Sequence, residues 1–282
     1  MMKPLIESAA SSVRDLAAFV PPGLLLCFAA AFIEGGKYLS VFQHEFLGTV
    51  LMIGCTFSAG KWIGMNDVNV AWAAHAVGVV ASDFIGGGQH VNPAVTVAMA
   101  SLGKCTYTEG YVRIAGQIGG GLVAFPLFHA VSNAMKWTPF GGPEYHMPDV
   151  ATGFLSEFIS TLLLMFAIYI LNWELNFGKF HYIIKQTLTA VAIRGLIEFF
   201  PTTGPAINPM LATTWDVFGV GTTYEFPSDF THYFVYWVAP MAAGITSAIL
   251  YTAYAGGTVF GVKNPIGPFK GTKKEEPKKK KS

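Results

Sequence analysis

Two glutamates and two asparagines stand out because of where they sit. Glu45 and Glu157 each open a Glu-Phe-x-x-Thr stretch inside an apolar run, as EFLGT and EFIST. Asn92 and Asn208 each precede a proline, in GGGQHVNPAV and TTGPAINPML. A carboxylate inside an apolar segment must be compensated, because an unpaired charge there is costly. Backbone N–H groups of a nearby loop would do this. An asparagine before a proline can cap a helix start, and its amide is offered to whatever passes. Paired carboxylates could also serve acid–base chemistry, and a membrane enzyme would need titratable or metal-binding groups clustered on facing helices. The candidates are Glu45, Glu157, His75 and Arg113. The first two occupy equivalent places in two similar units, which suits structure better than catalysis.

The elements that must hold these residues are apolar helices. Of 282 residues, 52% are hydrophobic and only 12% charged, against roughly 25% charged in an average soluble domain. The 31 glycines suit helices that approach closely in a membrane. A net charge of +1 argues against nucleic acid as a partner. Cys27, Cys55 and Cys105 show neither a CxxC nor a metal spacing and read as buried thiols. Six stretches can each cross a hydrocarbon core: Val41 to Ile63, Val68 to Ile85, Tyr107 to Val131, Ala151 to Leu171, Tyr182 to Phe200 and His232 to Tyr254. A weaker stretch, 17–33, contains Pro21-Pro22 and is read as interfacial or re-entrant in preference to spanning. Lysines crowd the end of the chain, so the positive-inside rule makes the tail cytoplasmic.

Aligning the halves explains the two Asn-Pro pairs. The order Glu-helix, helix, Asn-Pro loop, helix occurs twice, with three spans per unit. An odd number of spans forces the second unit to enter the membrane from the opposite side. Such inverted repeats carry their cargo near the midplane, at the repeat interface. VTVAMAS and LATTWDV, immediately after the two boxes, are apolar but too short to span. They are predicted to be half-helices, started by Pro93 and Pro209, with their positive ends at the midplane. The predicted organisation is an N-terminal segment 1–39, a first repeat 40–135, a connecting loop 136–150, a second repeat 151–258 and a basic tail 259–282.

These motifs resemble the aquaporin, or major intrinsic protein, family over about residues 40–255. Gln117 in RIAGQIGGG, His90 in the first box and Trp237-x-x-Pro240 in the last helix match as well. The resemblance implies an all-α integral membrane fold, with six transmembrane helices and two re-entrant half-helices meeting at the midplane. It implies a passive channel for water or small uncharged solutes, usually a homotetramer in a lipid bilayer, with no enzyme activity, cofactor or metal. The constriction would be formed by Asn92, Pro93, Ala94, Asn208, Pro209 and Met210, with Glu45, Glu157, His90 and Gln117 anchoring the loops.

The chain departs from the family where selectivity is set. The residue after the second box is usually Arg and is Leu211 here, and the box itself is Asn-Pro-Met. Offsets from the two asparagines place Trp72, Leu196 and Pro205 beside Leu211 in an apolar filter ring. Arg194 falls two residues out of register and is assigned to the positive-inside bias, with replacement of the missing Arg as the alternative. An apolar ring would slow water and tolerate glycerol or hydrogen peroxide. These departures, with the extra hydrophobic N-terminal stretch, resemble the unorthodox subcellular branch (superaquaporins). That branch usually has a Cys after its second box, and this chain has none. Lys279 and Lys280 occupy the positions of an endoplasmic-reticulum retrieval signal, or belong to a solvated polybasic tail. Two other readings use the same repeat. A secondary transporter would add ion-coupling carboxylates at the midplane, and an ion-conducting channel would follow from loss of the filter Arg.

Overall fold

In hydrocarbon every backbone N–H and C=O must be satisfied within its own segment, so apolar runs of this length become helices. The computed structural model describes residues 36–56, 67–136, 149–218 and 225–270. Its helices are α1 (Gly36–Thr56), α2 (Val68–Gly86), α3 (Pro93–Ser101), α4 (Tyr107–Met135), α5 (Val150–Glu174), α6 (His181–Phe199), α7 (Pro209–Phe218) and α8 (Phe230–Ala255). A two-stranded antiparallel hairpin comes next, β1 (Thr258–Val259) and β2 (Val262–Lys263). A helix occupies each of the six predicted stretches, although α1 begins at Gly36 rather than Val41. Residues 57–63, the stretch 17–33, and Lys279 and Lys280 lie outside the described residues.

Among the described residues four helices, α2, α4, α5 and α8, are long and apolar enough by themselves to cross a membrane. α1 and α6 have 21 and 19 residues but carry more polar side chains, including Glu45, Lys185, Arg194 and Glu198. The half-helices have only 9 and 10 residues, about 15 Å at 1.5 Å per residue, half a hydrocarbon core.

Small residues set the helix crossings. A Cβ added to Gly116 would lie 2.8 Å from the Phe42 carbonyl oxygen, and one on Gly120 2.7 Å from that of Phe46. Any larger residue on that face of α4 would push α1 away. α8 packs on α5 and on α3, where Gly244 meets the Ala94 carbonyl in the same way. Each half-helix therefore leans on a long helix of the other repeat: α3 on α8, and α7 on α4. α8 contains a π turn at Phe234–Val238, just before Pro240, where the missing proline N–H interrupts the regular ladder.

The helix starts differ between the two faces. α2, α5 and α8 start on one side, and each is capped by an aspartate: Asp67 on Asn69 N, Asp149 on Thr152 N and Asp229 on Thr231 N. α4 and α6 start on the lysine-rich side, with a threonine cap (Thr106) and no side-chain cap respectively. The segment after α8 is not a free tail. Phe260 N donates to Ser101 O, Phe269 N to Ala253 O and Lys270 N to Tyr254 O, which folds residues up to 270 back onto the bundle.

Candidate functional site

Each loop before a half-helix is hung from a carboxylate that is fully buried. Glu45 on α1 accepts from His90 N at 2.8 Å and Val91 N at 2.9 Å. Glu157 on α5 accepts from Ala206 N at 2.8 Å and Ile207 N at 2.9 Å. These bonds hold Val91 and Ile207 at φ 48° and 42°, a left-handed conformation unfavourable for β-branched residues. The twist turns the carbonyls of Val91 and Ile207 toward the opposite loop.

There the two loops clasp each other. Asn92 Nδ2 donates to Ile207 O at 2.8 Å, and Asn208 Nδ2 donates to Val91 O at 2.9 Å. Each side-chain oxygen accepts from its own half-helix, Asn92 Oδ1 from Ala94 N at 2.9 Å and Asn208 Oδ1 from Met210 N at 3.1 Å. An amide nitrogen carries two hydrogens. One serves the clasp, which leaves one per asparagine for a passing molecule. Pro93 and Pro209 stand at the first helical positions, so the positive ends of α3 and α7 face each other across the clasp.

The two boxes differ in the residue after the proline. Ala94 lies under Gly244, while the Met210 side chain is fully buried with its Sδ 2.6 Å from where a Cβ on Gly121 would sit. The absent side chain of Gly121 makes the hole that Met210 fills. Met210 therefore belongs to the packing against α4. His90 Nδ1 pairs with Thr96 Oγ1, and Gln117 Nε2 donates both to Glu45 and to Thr96.

The four residues expected in the filter ring occupy different settings. Pro205 is buried in the second loop, and Trp72 and Leu211 are partly exposed. Leu211 packs against the cluster that contains Met210, Phe125 and Trp215. Leu196 packs in a different cluster, with Leu164, Met165 and Ile207 among its members. Gly195 of α6 lies near Trp72, its Cβ position 4.0 Å from Trp72 Cη2. Arg194 forms an ion pair with Glu198 at 2.8 Å, one turn further along α6. His75 is buried between helices, with no hydrogen-bond partner at Nε2 among the described residues.

Sequence reasoning passed over the part Arg113 plays in anchoring. Arg113 Nη1 reaches Glu45 Oε1 at 2.5 Å, and its other nitrogens hold Glu109. The signal was present: Arg113 precedes Gln117 by four residues, so both project from one face of α4. Cys55 and Cys105 are half-buried rather than buried, and burial pushes the Cys105 thiol up from its ordinary value. Among the described residues no three His, Cys, Asp or Glu side chains come together to hold a metal.

Residues 33–251 match the family model described as "Major intrinsic protein". The chain belongs to that family. This major intrinsic protein is 27% identical over 235 residues to an aquaglyceroporin of Plasmodium berghei (strain Anka), covering 77% of the chain and 89% of the relative. It is 27% identical over 226 residues to "Aquaporin TIP2-3" of Arabidopsis thaliana, covering 76% and 86%. The solved structure of the aquaglyceroporin from Plasmodium falciparum superposes with a TM-score of 0.62 at 22% identity, covering 76% of the chain and 96% of that structure. As a member of the family the protein is a passive membrane channel for water or small solutes, and not an enzyme.

Proposed function

We propose that the protein passes water together with small uncharged solutes such as glycerol and hydrogen peroxide. The path would run through the Asn92–Asn208 clasp and an outer ring of Trp72, Leu196, Pro205 and Leu211 that lacks a fixed charge. The observation that carries this reading is the reciprocal clasp itself. It presents amide N–H groups and two positive helix ends to the path, a field that admits neutral hydrogen-bonding molecules and repels cations. Pro93, Ala94, Pro209 and Met210 shape the walls from behind, and Glu45, Glu157, His90 and Gln117 keep the loops in place.

The solute class follows from the outer ring. Leu211 supplies no donor where the family usually has Arg, so permeating water finds fewer partners. Trp72, Leu196 and Leu211 would present apolar side chains against which the carbon skeleton of a solute wider than water could lie. Stopped-flow light scattering on proteoliposomes tests this. Glycerol flux well above that of empty vesicles is expected, and Leu211→Arg should reduce it. Water flux matching Arg-containing aquaporins with no glycerol flux would sink the proposal. A steady current in a planar bilayer would favour an ion channel, and a saturable flux tied to an ion gradient would favour a transporter.

A homotetramer in an internal membrane completes the reading. Exposed apolar residues along the long helices, Val77, Leu155, Ile159 and Leu163 among them, suit contact with lipid or with neighbouring copies. The basic tail with Lys279 and Lys280 supports retention in the endoplasmic reticulum, as does the likeness to the superaquaporin branch. A fluorescent fusion with both lysines changed to Ser should leave that membrane.

A further inference from the structure

We propose that residues 256–270 form a lipid-binding device that seats on anionic headgroups of the leaflet on the tail side. The place of this segment along α8 is set by its bonds. α8 has 26 residues, about 39 Å at 1.5 Å per residue, against a hydrocarbon core of roughly 30 Å. Centred in the core, it would extend a few ångströms beyond it at each end, which puts its last turn near headgroup level. Asn264 Nδ2 bonds to Ile249 O at 3.0 Å and to Thr252 Oγ1 at 2.9 Å, and Phe269 N bonds to Ala253 O at 3.1 Å. The returning chain thus lies along those last turns.

There it carries a set of exposed apolar side chains. Phe260, Val262, Ile266 and Phe269 are 47%, 70%, 56% and 72% exposed. Hydrophobic residues held out at the end of a span belong in the acyl boundary. The net charge is positive: Lys263 and Lys270 lie within the segment, Lys270 paired with Glu174, and six more lysines with two glutamates come after it by 281. Insertion of apolar groups together with a polybasic stretch is the two-signal arrangement that binds an anionic membrane surface. Neighbouring residues continue the same belt, with Lys104 Nζ 5.0 Å from the Trp173 ring and Tyr251 donating to Glu174. Phe260 N also holds Ser101 O, the last residue of α3. Lipid seated on the hairpin would therefore steady the half-helix that carries Asn92.

The test uses the full chain with its three cysteines replaced and a nitroxide at Val262→Cys, or at Phe269→Cys as a second site. The protein is placed in phosphatidylcholine vesicles with and without phosphatidylserine. Collision with oxygen reports immersion, and collision with a nickel chelate reports contact with water. Adding phosphatidylserine should reduce nickel access severalfold, and Lys263→Gln with Lys273→Gln and Lys274→Gln should restore it. Equal nickel access in the two lipids, whether high or low, would overturn the proposal. So would spin–spin broadening that disperses on dilution with unlabelled protein, since a second copy would then cover the surface. Solute flux plays no part in this readout, so it stands or falls separately from the reading of the pore.

Discussion

The first re-entrant loop is anchored through an ion pair, whereas the second hangs from a carboxylate that has no ion-pair partner among the described residues. Glu45 receives two backbone N–H groups, Gln117 and the Arg113 guanidinium. Glu157 receives two backbone N–H groups and the Thr203 hydroxyl. The backbone bonds match almost atom for atom, because the same twist at Val91 and Ile207 demands them. The surroundings of each carboxylate are free to differ. The residue after each proline diverges in the same way: Ala94 lies under Gly244 and Met210 fills the gap left by Gly121. The repeat thus conserves the geometry that sets the clasp and varies the packing behind it.

The largest expected effect would break this comparison outright. Glu45→Gln removes one of the two carboxylates that hold Arg113, Glu109 keeping the other, and should cost about 3 to 4 kcal/mol, the lower part of the range for breaking a buried pair. Glu157→Gln loses charge-assisted hydrogen bonds alone and should cost about 2 kcal/mol. Unfolding in detergent, tracked by heat or by added SDS, measures both. Equal losses would show that Arg113 contributes nothing to the first loop. Next comes Met210→Ala, expected to cost about 3 kcal/mol through the cavity left against Gly121. Solute selectivity should hold, because the side chain packs behind the path. A changed glycerol-to-water ratio would place Met210 in the path instead. Asn92→Ala and Asn208→Ala should be twins, each costing about 1 to 2 kcal/mol through a lost cap and clasp bond. Both should cut water flux by the same factor, and unequal losses would mean that the two loops do not share one constriction.

The smallest effect lies at the outer helix starts. The Thr152 hydrogen bonds hold Asp149 below its ordinary value, and those of Thr231 do the same for Asp229. A depressed carboxylate stabilises the fold above its unfolded value near 3.8 and loses that contribution as pH falls through the folded value. Acidification below about pH 4 should therefore loosen α5 and α8 at their capped ends. Asp149→Asn or Asp229→Asn keeps a cap at neutral pH and removes this acid sensitivity, which unfolding midpoints against pH would show.

Most of the clasp was legible in the sequence because its parts are local and repeated. A carboxylate in an apolar run, a proline after an asparagine and two short apolar segments leave few alternatives. The outer ring was less legible. Counting offsets from Asn208 back to α6 crosses the 3₁₀ turn Pro201–Thr203, where residues per turn change, and Leu196 packs in one cluster while Leu211 packs in another. The segment after α8 was hidden by its lysines, which read as a solvated tail. Asn264 docks on Ile249 and Thr252 through bonds no local pattern announces.

The clasp also carries a consequence for how the chain is made. Its two bonds join residues 115 and 117 positions apart, and neither loop can complete its partner set alone. While the first repeat enters the membrane, the Asn92 amide and the Val91 carbonyl have nothing to meet until residue 208 has been synthesised. The ribosome must deliver three more spans before the first loop can settle. Truncation after the first repeat should therefore leave a loop open to water and to proteases, and co-expression of the second repeat as a separate chain should close it.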